Sequence, residues 1–126
     1  MKKTAVILMA IILGISCATQ DANPNNYQKV GTKVFLKGIV SSSDNIIIVD
    51  VRTPNEYSKG NIKNSININY YDSNFQEQIS KLDTLKTAYI YCKSGGRSSN
   101  AVKTFTLVGF KKVVELKGGF NAYLKQ

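Results

Sequence analysis

Two kinds of apolar pattern divide the chain. Residues 5–15 are an almost unbroken apolar run behind Lys2 and Lys3, whereas from Tyr27 onward short apolar runs alternate with amphipathic stretches. In this second region Ile46-Ile47-Ile48-Val49, ending at Asp50, is continuous and β-branched, which predicts a buried parallel strand. Residues 65–68, 88–91 and 113–116 predict three further strands. Helical spacing recurs in Val34, Phe35, Ile39 and Val40 behind a possible Thr32 cap, and again in Phe75, Ile79 and Leu82. Thr53-Pro54-Asn55-Glu56 has the form of a capping box with proline at the first helical position. Residues 97–108 predict a helix closed by Gly109, and residues 120–124 a final one. This alternation predicts an α/β architecture with a mostly parallel sheet covered on both faces.

The apolar run at the start is too short to cross a bilayer comfortably as a permanent helix. With its basic beginning and the small residues Gly14 and Ser16 before Cys17, it reads as an export signal. Leu13-Gly14-Ile15-Ser16-Cys17 resembles the lipobox of bacterial lipoproteins, with Gly14 where an aliphatic residue is usual. That resemblance implies a signal peptide over residues 1–16 and acylation of Cys17. It also implies a lipid anchor in the bacterial cell envelope, with the protein facing the periplasm or exterior. An ordinary secretory signal is the alternative. Residues 17–26 then form a polar tether, and residues 27–126 one domain, a length able to fold without disulfides. Acylation of Cys17 leaves Cys92 unpaired, and a lone thiol in an oxidising compartment points to reactivity.

Composition narrows the chemistry further. The chain has 126 residues and no histidine, so a Cys–His or Ser–His pair and any His-ligated metal centre are excluded. No metal or cofactor is expected. The formal charge is +9, from 17 basic and 8 acidic residues. Lys2 and Lys3 belong to the leader, which leaves 15 against 8, or +7, for the rest. These lysines are scattered and no nucleic-acid motif accompanies them, so nucleic acid is not the expected partner; the charge reads either as a solvated basic surface or as attraction for small anions or anionic lipid.

The candidate site is the segment from Cys92 to Ser98. A cysteine at the carboxyl end of a predicted strand, then a Ser/Gly-rich loop and a helix start, is where ligands gather in open α/β sheets. Backbone N–H groups from Lys93, Ser94, Gly95, Gly96, Arg97 and Ser98 can form an anion-binding nest at the positive end of the helix. Both effects favour the thiolate form of Cys92. Lys93 and Arg97 add positive charge for an anionic substrate. Asp50, Arg52 and Glu56 are expected as an ion-paired network fixing the strand end and the next helix, with a place in the pocket wall as the other option.

Cys92-x-x-Gly95-x-Arg97-Ser98 resembles the active-site loop of single-domain rhodanese-like sulfurtransferases. Val49-Asp50-Val51-Arg52 with Glu56-Tyr57, Gly60-Asn61-Ile62, Gly109-Phe110 and Gly118-Gly119-Phe120-Asn121-Ala122-Tyr123 are similar to further landmarks of that family. Asn61 stands where histidine is usual, Asn64-Ser65 where Gly-Ala is usual, and Tyr123 where tryptophan is common. The resemblance implies a rhodanese-like, mostly parallel five-stranded sheet over residues 27–126. It also implies that Cys92 takes sulfane sulfur from an anionic donor such as thiosulfate and passes it, as a persulfide, to a thiol or cyanide. The alternatives are a rhodanese-like binding or persulfide-carrier module without turnover, an inert buried cysteine, and a thiolate phosphatase. The phosphatase loop holds one more residue between its Cys and Arg than the four found here.

Overall fold

The computed structural model describes residues 26–126. The expected leader, Cys17 and all of the tether but its last residue lie outside the described residues. In chain order the elements are β1 (Tyr27–Val30), α1 (Thr32–Ser41), a short 3-10 turn, β2 (Ile46–Asp50) and α2 (Pro54–Ser58). They continue with β3 (Ile66–Asn67), α3 (Phe75–Ser80), β4 (Thr87–Tyr91), α4 (Gly96–Leu107), β5 (Val113–Leu116) and α5 (Gly119–Tyr123). The five strands form one sheet of order β1-β5-β4-β2-β3, every pair parallel. Among the described residues, no helix is long and apolar enough to cross a membrane.

Side-chain alternation divides the strands between two cores. Val49, Ala88, Ile90, Cys92 and Val113 face α3 and α4, where Phe75, Ile79, Ala101 and Phe105 close over them. Ile48, Tyr89, Tyr91, Val114 and Leu116 face the other way, against Phe35 of α1 and the half-buried Phe120 and Tyr123 of α5. Both faces are therefore covered, as the continuous apolar strands require.

Two elements differ from expectation. β1, Tyr-Gln-Lys-Val, is a four-residue edge strand with only its ends half-buried, so it carries no strand periodicity. Its pairing with β5 across more than eighty residues defines it. Thr32 is the first residue of α1 rather than its cap; Gly31 holds the cap position in extended geometry without a side-chain bond. The capping box of α2 is complete, with the Thr53 side chain accepting from the Glu56 N–H and the Glu56 carboxylate accepting from the Thr53 N–H.

Candidate functional site

Cys92 is the first residue beyond β4, where the backbone leaves the sheet and turns into α4. The turn is made at Gly95, whose φ of +113° suits glycine and which caps the helix. This turn aims the Gly95 N–H back at Cys92 Sγ, 3.0 Å away. The Ser98 hydroxyl reaches the same sulfur at 3.3 Å. Burial opposes ionisation of the thiol. The Ser98 hydroxyl and the backbone N–H groups of Ser98, Gly95 and Ser94 outweigh it, so the Cys92 pKa lies below its ordinary value. Cys92 is only 1% exposed.

The first turn of α5 holds the other side of this loop. Phe120 N–H donates to the Cys92 carbonyl at 2.8 Å, and Asn121 N–H to the Lys93 carbonyl at 2.9 Å. So close an approach needs glycine at 119. A Cβ there would lie 2.4 Å from the Cys92 oxygen, and the residue has a φ of +59°. The Gly118-Gly119 pair is thus what lets the last helix hold the cysteine loop.

Four of the five charged residues expected near the site sort into two separate pairs rather than one network. Asp50, fully buried, is gripped by Arg52, itself 4% exposed, through Nε at 3.0 Å to both carboxylate oxygens and Nη2 at 2.6 Å. The same Nη2 donates to the Gly60 carbonyl at 2.7 Å, and the guanidinium lies 4.2 Å over the Phe120 ring. Glu56 instead meets Arg97 across 41 residues of sequence, in a fork of 2.7 and 2.8 Å. That fork and, less strongly, the Thr53 contacts outweigh partial burial and hold the Glu56 carboxyl down at about 2. Arg97 therefore ties α4 to the start of α2 and covers the Tyr71 ring at 5.5 Å. Both of its terminal nitrogens face Glu56, where the sequence reading had them free for an anion.

Lys59 and Lys93 border an open cleft of about 330 Å³ beside the loop, which Arg52 and Glu56 of the two ion pairs also line, with Phe120 and Asn121. Lys93, Ser94 and Gly96 are exposed, whereas Ser98 is fully buried. Asn61 takes no part: its amide donates to the Tyr57 carbonyl at 3.2 Å on the surface. Ser65 is buried and bonds the Tyr91 hydroxyl at 3.0 Å and the Ile62 carbonyl at 2.6 Å, so it supports the β4 strand from beneath.

One cluster went unread in the sequence. Glu115 sits fully buried in β5 and accepts from the hydroxyls of Ser98 at 2.7 Å, Ser99 at 2.8 Å and Tyr27. A carboxylate inside Val-Val-Glu-Leu was the available signal, since a charged residue in an apolar strand needs buried partners. Among the described residues, no group of three His, Cys, Asp or Glu is placed to hold a metal ion.

Comparison with known proteins gives a consistent picture. Residues 34–126 match the family described as rhodanese-like domain. The chain is 32% identical over 118 residues to the thiosulfate:glutathione sulfurtransferase of Saccharomyces cerevisiae, with 84% of each chain covered. A Staphylococcus aureus rhodanese-like domain protein superimposes with a TM-score of 0.65 at 28% identity, covering 76% of this chain and 90% of that one. A Rhodopseudomonas palustris protein described as a possible tyrosine phosphatase gives 0.65 at 27%, covering 95% and 96%. Among other curated relatives, the chain spans 59% of the Bacillus subtilis protein YqhL and 23% of the adenylyltransferase/sulfurtransferase MoeZ of Mycobacterium tuberculosis.

Proposed function

The chain belongs to the rhodanese-like domain family, and from that premise we propose that it is a sulfurtransferase that carries sulfur as a persulfide on Cys92. The observation that carries this reading is the cradle around the sulfur: the Gly95 N–H at 3.0 Å, the Ser98 hydroxyl at 3.3 Å and the start of α4 all favour a thiolate.

The thiolate attacks the sulfane sulfur of a donor such as thiosulfate. A sulfur–sulfur bond forms to Cys92, the donor's own sulfur–sulfur bond breaks, and sulfite leaves with the electron pair. A thiol or cyanide acceptor then attacks the outer sulfur and returns Cys92 as thiolate. Splitting the transfer into two displacements is covalent catalysis. Lys93, with Lys59 on the same cleft, supplies positive charge for the anionic donor. Arg97 shapes the loop through Glu56. The test is thiocyanate formation from thiosulfate and cyanide by the purified protein. Turnover that is lost in Cys92→Ser supports the reading, and equal turnover in that variant refutes it.

The likeness to the possible tyrosine phosphatase favours a second reading, phosphate-ester hydrolysis. The four residues between Cys92 and Arg97, with Arg97 committed to Glu56, weigh against it. Cys92-dependent hydrolysis of an aryl phosphate is the result that would reverse the order.

We further propose that Cys17 is lipid-modified and anchors the domain in the cell envelope, on the strength of the leader pattern alone. Labelled palmitate incorporated by the wild type and lost in Cys17→Ser supports this; equal labelling of both refutes it.

A further inference from the structure

Glu115 is a fully buried carboxylate that no step above uses. Sheet periodicity puts it on the same face as Cys92. β4 leads through Ala88 and Ile90 to Cys92, β5 presents Val113 and Glu115 beside it, and β1 presents Tyr27 and Lys29. Ser98 comes down onto this face from the first turn of α4. Its hydroxyl oxygen is 3.3 Å from Cys92 Sγ and 2.7 Å from Glu115 Oε1, so one hydroxyl bridges thiol and carboxylate.

Counting protons gives this bridge a consequence. Ser98 has one hydroxyl proton and free lone pairs. Turned to the sulfur, that proton stabilises the Cys92 thiolate; turned to Glu115, it leaves Ser98 able to receive the S–H proton of a Cys92 still in the thiol form. The other donors to Glu115 are Ser99 to Oε1 at 2.8 Å and Tyr27 to Oε2. Lys29 stands opposite Glu115 in the ladder, with Nζ 3.7 Å from Oε2 and 2.9 Å from Ser99 Oγ. Burial and the neighbouring Glu115 raise the Tyr27 pKa, so Tyr27 remains a neutral donor. The charged groups facing the cluster are Lys29 from β1 and, on the Cys92 side, Arg97 with its partner Glu56. A chain without histidine has no imidazole for the thiol proton.

We propose that Glu115 takes the proton of Cys92 through Ser98 as the sulfur attacks. The S–H bond breaks and its proton passes to Ser98 Oγ, while the Ser98 hydroxyl proton passes to Glu115 Oε1. The electron pair of the S–H bond stays on sulfur and forms the new bond to the electrophile. The net change is one proton moved and no redox step. Glu115 touches no reacting atom. It is a positioning residue that works through Ser98, on the side of the sheet where half-exposed Lys29 opens to solvent. The inference rests on the reading of Cys92 as the nucleophile and adds the group that activates it.

The experiment is the pH profile of Cys92 alkylation by iodoacetamide in the wild type and in Glu115→Gln, with near-ultraviolet circular dichroism to establish the fold. Because a carboxylate assists the wild type, its rate falls by less than about tenfold per pH unit between pH 7.5 and 5.5. The Gln variant falls by the full tenfold and at pH 6 is at least about tenfold slower than the wild type. If Glu115 only fills space, removing a buried negative charge near the sulfur eases thiolate formation. The variant then reacts as fast or faster, and the proposal is overturned. Should Glu115→Gln not fold, alkylation of the wild type in heavy water at pH 6 decides. A slowing greater than that of a free cysteine peptide under the same conditions supports proton transfer during attack, and a slowing no greater than the peptide's overturns it. Fast alkylation of the wild type with neither signature would leave Cys92 a nucleophile and remove the role of Glu115 alone.

Discussion

Replacing Glu56 by Gln removes one charge from the Arg97 fork and keeps the size and hydrogen-bonding reach of the side chain. In the folded protein the carboxyl is held at about 2, against 4.5 for the free group. That separation corresponds to at most about 3 kcal/mol of folding free energy. The Glu56 and Arg97 side chains are 27% and 16% exposed, and solvent screening reduces the figure to about 1–2 kcal/mol. The folded-state value is depressed, so the contribution is complete above pH 4.5 and drains away as pH falls towards 2. Urea unfolding followed by far-ultraviolet circular dichroism at pH 7 and pH 2.5 measures it. Glu56→Gln is expected to be less stable than the wild type by about 1–2 kcal/mol at pH 7, with most of that gap closed at pH 2.5. A gap of the same size at both pH values, or none at pH 7, would refute the argument that this ion pair ties α2 to the cysteine loop.

Three further substitutions test other parts of the framework. Gly119→Ala places a methyl 2.4 Å from the Cys92 carbonyl oxygen at positive φ, and a loss of at least about 2 kcal/mol in urea unfolding is expected; a loss under about 0.5 kcal/mol would contradict the close approach. Asp50→Asn leaves the Arg52 charge buried without its counter-ion, which should cost about 3–5 kcal/mol on the same measurement, and a near-neutral result would mean the pair is not desolvated in solution. Thr53→Ala removes the hydroxyl half of the capping box and should cost about 1 kcal/mol, while an unchanged midpoint would mean that α2 is held by Arg97 alone.

What the amino-acid order made legible was local. The Ile46–Asp50 strand declares itself by a β-branched run, and the capping box of α2 by four adjacent residues. The cysteine loop is legible for the same reason: Cys92, Gly95 and Ser98 lie within seven consecutive positions, and the turn that joins them needs little else. What escaped depends on distant pairing. β1 has a mixed Tyr-Gln-Lys-Val pattern, and only β5 at its side makes it a strand. Arg97 looked free for an anion because Glu56, its partner, is 41 residues earlier. The same distance hid the division of the acidic and basic residues into two pairs. Glu115 read as part of an apolar strand, although its satisfaction depends on hydroxyls from β1 and α4 that meet only in the folded chain.

The central claim, that Cys92 carries sulfur, is tested most directly by the intact mass of the purified protein before and after thiosulfate, beside Cys92→Ser. The account predicts a gain of one sulfur atom in the wild type, removed by cyanide and absent from the variant. A mass that stays unchanged across several sulfane-sulfur donors, or a gain that persists in Cys92→Ser, would contradict it.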